Sequence, residues 1–452
     1  MTDRTHRLRE RDYKHSWHPF TQMQGWLKED APIIERGEGV YLWDTEGNRY
    51  LDGISSLWVT VHGHCRREIN EAVKAQLERL EHSTMLGLSN VPATELAAKL
   101  ADLTPPGLSR VFYSDSGSTA VEIALKIAFQ FCAQAGRGER KKFIHFVNSY
   151  HGDTIGSVSV GGIDLFHRIY GPLLFETIAV PYPYCYRCPF EKSPDSCELH
   201  CTVKLEEALA EYEGEIAAVV IEPLVQGAAG MLMSPPGHLH RVRELCDKHG
   251  VLLVCDEVAT GWGRTGKLWA CEHEGVSPDI LCTAKGLTGG YLPLAATITT
   301  EEIFKGFLGS FEDSRTFYHG HTYTGNPLAC AAALANIGLF ETQKTLDKMQ
   351  PRIEQLSDGL LEIAGLPHVG DVRQRGFMTG IELVRDKATK EPYDNAMRTG
   401  HHVILEARKR GVILRPLGDV IVIMAPLVIS ETEMSQLLKV TADSIAAVTG
   451  AL

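Results

Sequence analysis

The chain has 452 residues, 44% of them hydrophobic and 23% charged, enough apolar material for a sizeable core in about three domain-sized units. Forty-five Lys and Arg against 57 Asp and Glu give a formal net charge of −12, which repels phosphate backbones and sets nucleic-acid binding aside. No apolar run reaches the ~18 residues that a membrane span needs, and the longest candidate, 328–340, is broken by Asn336 and reads as a buried helix.

In chain order, the N-terminal segment is basic but lacks an apolar stretch, so no secretory signal is expected; Asp3, Glu10 and Asp12 argue against a transit peptide. Eleven cysteines is an odd number, and most of them are scattered, which fits a reducing, cytoplasmic setting better than a disulfide framework. Apolar runs at 40–43 and 49–51, separated by Asp44-Thr45-Glu46-Gly47-Asn48, predict a hairpin. From about Asn70 helices alternate with short apolar strands. Helices are expected over 68–80, 118–134, 205–212 and 238–249, and strands over 110–113, 142–147, 217–221, 251–255 and 280–283. Short apolar runs between helices are the mark of a parallel sheet covered on both faces. After about Phe340, amphipathic helices at 349–364 and 401–410 mix with strands at 376–383 and 420–424. The expected architecture is α/β: a large, mainly parallel-sheet domain over 65–340, with 1–64 and 341–452 together forming a smaller α+β domain.

In open α/β sheets, ligands bind beyond the carboxyl ends of the strands. Polar residues gather at five predicted strand ends. The first carries Ser114-Asp115-Ser116-Gly117-Ser118-Thr119 and runs straight into a helix, an N-terminus suited to an anion; it is equally readable as a plain Ser/Thr cap. The second carries Asn148-Ser149-Tyr150-His151-Gly152-Asp153, where an aromatic ring can lie over a planar ligand or simply close a turn. Glu222-Pro223, then Asp256-Glu257-Val258 with Gly261-Trp262-Gly263-Arg264-Thr265-Gly266, and Lys285-Gly286 follow the remaining three. One acidic cap or one solvated lysine means little alone. Five together suit a ligand with a phosphate, an aromatic ring, a basic ring nitrogen and an electrophilic carbon, as in pyridoxal 5′-phosphate. Lys285 is then the amine that bonds the cofactor aldehyde and shuttles protons, its pKa lowered by burial. Asp256 pairs with the ring nitrogen, Tyr150 and Val258 cover the two ring faces, and Gly117 and Ser118 hold the phosphate.

These residues resemble the signature of the class III, fold-type I aminotransferases, and the likeness runs from about Trp17 to Pro426. Within that family, several stretches are similar to the biotin-biosynthesis branch. They include Trp17-His18-Pro19-Phe20-Thr21-Gln22, Asp52-Gly53-Ile54-Ser55-Ser56-Leu57-Trp58, Gly320-His321-Thr322-Tyr323 and Arg415-Pro416-Leu417-Gly418. The resemblance implies conversion of 8-amino-7-oxononanoate to 7,8-diaminononanoate; the alternative is an ω-amino acid or diamine transaminase using pyruvate or 2-oxoglutarate. It agrees with the roles of Gly117, Ser118, Tyr150, Asp256 and Lys285. It adds Thr322, with His321, reaching the cofactor phosphate from a neighbouring subunit, and Gly320 beside the substrate, hence a homodimer with shared sites. Arg415 is implied as the planar guanidinium that takes the substrate's far carboxylate. Arg264 is open between a structural and a binding role.

Three departures bear on the amino donor. Branch members that use S-adenosylmethionine commonly have Trp where this chain has Leu57, Tyr where it has Phe20, and Pro where it has His321. Those three resemble the variants that take the amino group from lysine, so both donors stay open. Cys185, Cys188, Cys197 and Cys201, with His200 adjacent, stand outside this scheme; their spacing suits either zinc or loose surface thiols, and no metal is assigned.

Overall fold

The computed structural model describes residues 2–193 and 196–451. Its centre is a seven-stranded sheet of β1 (Leu108–Ser114), β2 (Lys142–Phe146), β3 (Ile178–Val180), β4 (Ile216–Ile221), β5 (Leu252–Asp256), β6 (Ile280–Thr283) and β7 (Ala295–Thr300). Their spatial order is β1-β7-β6-β5-β4-β2-β3. β7 alone runs against its neighbours; the pairs β6–β5, β5–β4, β4–β2 and β2–β3 are parallel. β4 (IAAVVI) and β6 (ILCT) are buried at every position, which is why they read as unbroken apolar runs rather than as alternation. A fully buried Val or Ile such as Val219 or Ile221 contributes about 1.5–3 kcal/mol. No described helix is long and apolar enough to cross a membrane.

Two helices brace the ligand-facing edge. Gly117–Gln134 follows β1 and opens with a reciprocal cap between Ser116 and Thr119. Pro327–Thr342 is capped by Asn326, which accepts from the backbone N–H of Leu328 and Ala329. The Asn336 that interrupts its apolar run is fully buried and donates to the carbonyls of Gly286 (2.8 Å) and Leu287 (3.1 Å). The polar residue inside its apolar run thus anchors the turn that follows β6.

The predicted hairpin forms as Tyr41–Asp44 against Arg49–Asp52, and Arg49–Asp52 pairs in parallel with Val412–Ile413, so the two ends of the chain share a sheet. A second four-stranded sheet joins Val369–Arg375, Met378–Leu383, Val420–Ile423 and Arg415–Leu417. Among the elements that the sequence reading did not pick out, three are instructive. β3 is only three residues long. β7 (AATITT) is small and Thr-rich yet almost wholly buried between β1 and β6. The basic N-terminal segment forms the helix Asp3–His15, capped by Thr2 and tied by the Arg4–Glu35 ion pair.

Candidate active site

The carboxyl ends of β1, β2, β4, β5 and β6 open into one cavity of about 390 Å³. Gly117, Ser118, Tyr150, Asp256 and Lys285, expected at four of those ends, all line it, together with Val258, Glu222 and His151.

Asp256 closes β5 and is buried. Its Oδ1 accepts from Val258 N at 3.0 Å, and its Oδ2 faces His151 Nδ1 at 2.7 Å. Burial pulls the His151 pKa down, but the hydrogen bond and the charge of Asp256 win and hold it above its ordinary value. The pair fixes the Asp256 carboxyl group at the cavity wall. Glu222, also buried, accepts from Tyr150 N and Gly227 N at 3.0 Å each, and burial pushes its pKa up to about 7. Lys285 sits in a left-handed conformation (φ 45°), with Nζ 5.0 Å from the centre of the Trp58 ring. Burial lowers its pKa, against the opposing pull of Asp256 and Glu222, so more of the free amine is available near neutral pH.

At the start of the helix Gly117–Gln134 the backbone is packed so closely that only glycine fits at two positions. A Cβ on Gly117 would lie 2.6 Å from Val258 Cγ1, and one on Gly152 (φ 118°) would lie 1.9 Å from Ser118 Oγ. Ser118 Oγ accepts from Asp153 N at 3.1 Å. Here Ser116 caps the helix, as a plain Ser/Thr cap would, while residues 117 and 118 face the cavity. A phosphate cradle at a helix N-terminus, a flat ring (Tyr150), a buried carboxylate and a lysine of lowered pKa are the complement that pyridoxal 5′-phosphate requires, and the residues fit it.

The remaining expected positions lie outside the lining. Phe20 (φ 50°) packs edge-on to Tyr150 at 6.3 Å and to Phe166 at 5.2 Å. Tyr150 also donates to Asp153 Oδ2 at 2.8 Å, and burial together with that bond raises its phenol pKa. Arg415, on the strand Arg415–Leu417, is half-buried with no ion-pair partner among the described residues; burial lowers its pKa, partly offset by Tyr150. His321 Nδ1 faces Asp115 Oδ2 at 2.6 Å at the cavity's edge. Gly320 and Thr322 are not brought into the cavity of their own chain.

Leu57, 42% exposed, belongs to a turn in which Ser55, Ser56, Leu57 and Trp58 are all left-handed (φ 48°, 39°, 65° and 71°). Each such residue costs roughly 1–2 kcal/mol, so the turn needs outside support. Arg264 supplies part of it: fully buried, it donates to Ser55 Oγ (3.1 Å), Ala425 O (2.8 Å) and Thr60 O (3.0 Å), and burial pushes its pKa down to about 9. Its role is structural. Sequence reasoning named no role for His151, Glu222 or Trp58. The first two stood in plain view next to strand ends, but their pairing with Asp256 and Tyr150 exists only in space.

Cys185, Cys188, Cys197, Cys201 and His200 line a separate cavity of about 20 Å³. Among the described residues no group of three or more His, Cys, Asp or Glu is arranged to hold a metal ion.

The family model for aminotransferase class-III matches residues 27–445. The chain is 58% identical to the adenosylmethionine-8-amino-7-oxononanoate aminotransferase of Nitratidesulfovibrio vulgaris over 99% of its length and 83% of the relative's. It is 54% identical to the protein of the same name from Geobacter sulfurreducens, with 99% of each covered. Among solved structures, that of the Methanocaldococcus jannaschii protein of that name matches with a TM-score of 0.94 at 45% identity, covering 98% of this chain and 99% of the other. A thermostable (S)-enantioselective omega-transaminase from Thermomicrobium roseum reaches the same TM-score at 36% identity, with 99% of each chain covered. By its strand-end constellation and by these matches, the chain belongs to the class-III aminotransferases, pyridoxal 5′-phosphate-dependent enzymes of fold type I.

Proposed function

We propose that this enzyme converts 8-amino-7-oxononanoate to 7,8-diaminononanoate, the transamination step of biotin biosynthesis, with S-adenosylmethionine or lysine as amino donor. The observation that carries the substrate is kinship: 58% and 54% identity to near-full-length relatives named for that acceptor. Fold alone does not choose it, since an omega-transaminase superposes equally well.

When bound, pyridoxal 5′-phosphate supplies the carrier for the amino group and an electron sink for the reacting carbon. Lys285 Nζ would hold the cofactor and carry the proton at the reacting carbon, a task suited to its lowered pKa. Asp256, held by His151, would face the ring nitrogen. Gly117 and Ser118 would hold the phosphate, joined from a second subunit by Thr322 and His321. Tyr150 and Val258 cover the ring. Phe20, Leu57, Gly320 and Arg415 receive the substrate, with the uncompensated Arg415 guanidinium taking its far carboxylate. The shared-site homodimer is supported by the exposed apolar surface around residues 320–322, where Leu86, Tyr318 and Tyr323 face outward. The division into 1–64, 65–340 and 341–452 and a cytoplasmic setting belong to the same proposal.

A single-turnover experiment tests it. Loaded enzyme is mixed separately with S-adenosylmethionine and with lysine, and loss of its visible absorption band is followed. 8-Amino-7-oxononanoate is then added, and the band is expected to return. If neither donor bleaches the band and the keto acid never restores it, the assignment falls.

A further inference from the structure

The left-handed turn Ser55–Trp58 sets one wall of the cavity, and the way it is held points beyond the residues that touch ligands. Trp58 lines the cavity, stands 5.0 Å from Lys285 Nζ and is 6% exposed, yet its indole N–H has no hydrogen-bond partner among the described residues. The ring is held by its packing in the core and by the backbone that carries it, and that backbone is strained. Trp58 N donates to Ile54 O at 2.7 Å, closing a left-handed helical loop of non-glycine residues.

Asp52, at the end of the hairpin strand Arg49–Asp52 and fully buried, holds that loop. Its Oδ2 accepts from Ser56 N at 2.6 Å and Ser56 Oγ at 2.8 Å, and faces His64 Nε2 at 2.9 Å. Its Oδ1 accepts from Ile54 N at 3.3 Å. One carboxylate thus grips both the entry and the middle of the strained turn, while His64 fixes the carboxylate. We propose that Asp52 is a positioning residue: it keeps residues 55–58 left-handed and so fixes the face that Trp58 presents to the substrate beside Lys285. This rests on the transaminase reading of the site, since the face matters only if substrate reacts at Lys285.

The test uses the loaded enzyme and Asp52→Asn, which keeps the size and removes the charge. Hydrogen exchange over residues 54–60 should quicken about tenfold or more, as expected for loss of charge-assisted bonds. kcat/KM for the acceptor should fall roughly 10- to 100-fold, while cofactor affinity stays within about twofold. Adding Ser56→Gly, which removes the steric cost of the left-handed conformation, should restore most of that loss. Unchanged exchange in Asp52→Asn, equal loss of cofactor affinity and turnover, or no recovery in the double variant would overturn the proposal. Should Asp52→Asn not fold, Ser56→Ala at its exposed position serves instead: exchange at Leu57 and Trp58 quickens several-fold, and unchanged exchange refutes the idea. Acceptors are 8-amino-7-oxononanoate and pyruvate in parallel. An enzyme active only on pyruvate loses its biotin assignment, while Asp52 is still judged by exchange and by pyruvate turnover.

Discussion

At the cofactor end, Asp256, His151 and Glu222 are buried at strand ends, Asp256 paired with His151 at 2.7 Å and Glu222 accepting from the backbone of Tyr150 and Gly227 at 3.0 Å each. At the substrate end, Phe20 and Leu57 are half-exposed on left-handed backbone, Arg415 lacks a counter-ion among the described residues, and Gly320 and Thr322 are not part of their own chain's cavity lining. The first region is complete within one chain because a parallel sheet delivers its carboxyl ends to a common edge. The second is assembled from the N-terminal segment, the hairpin, the C-terminal sheet and, in our proposal, a second subunit. In our proposal the chemistry common to the family sits on the rigid central sheet, and substrate choice sits on peripheral segments, where backbone can change without breaking that sheet.

Four experiments press on this contrast, from the largest effect down. Lys285→Ala should abolish the visible band and lower kcat by at least ~10⁴-fold, because nucleophile and proton carrier are one residue; a retained band would place the cofactor elsewhere. Asp256→Asn should lower kcat about 10³-fold, the worth of a charge pair at ~4 Å with an effective dielectric of ~20. Both half-reactions should suffer alike, and a loss confined to one would move Asp256 to the substrate side of the contrast. Arg415→Ala should raise KM for the keto acid by roughly 10- to 100-fold, the loss of a charged hydrogen-bonding partner, with donor bleaching and cofactor affinity little changed. Equal damage to cofactor binding would make Arg415 structural.

The last effect is on stability rather than on turnover. Burial holds the pKa of His62, His145 and His238 at about 4, against an ordinary 6.5. Below pH 6.5 the unfolded chain takes up protons that the folded one refuses, so stability is full above that pH and falls as pH drops toward 4, by up to roughly 3 kcal/mol per histidine. The urea midpoint should decline between pH 6.5 and 5, and His238→Leu should flatten the slope by about a third. A flat profile in the wild type would mean that these rings are not locked in neutral form.

The cofactor end was largely legible from sequence because its signals are local. A run of apolar residues ending in Asp256, or Thr283 followed closely by Lys285, announces a strand end and what stands on it. Much of the sheet was legible for the same reason; β7 escaped because its Ala and Thr side chains are only weakly apolar, and its burial comes from the neighbouring strands and from the helix Gly117–Gln134 packed on it. Asn336 read as a flaw in a helix, yet in space it secures the turn bearing Gly286.

Sequence by itself thus determined the fold class, the residue types at the strand ends and the family, all of which rest on contiguous stretches of chain. Tertiary structure alone decided that His151 partners Asp256 across 105 positions, that Arg264 braces Ser55 across 209, and that four successive residues near Trp58 are left-handed. A hydrogen bond between distant segments leaves no periodicity in either, and a strained conformation of ordinary residues is set by the partners that hold it rather than by their own preference.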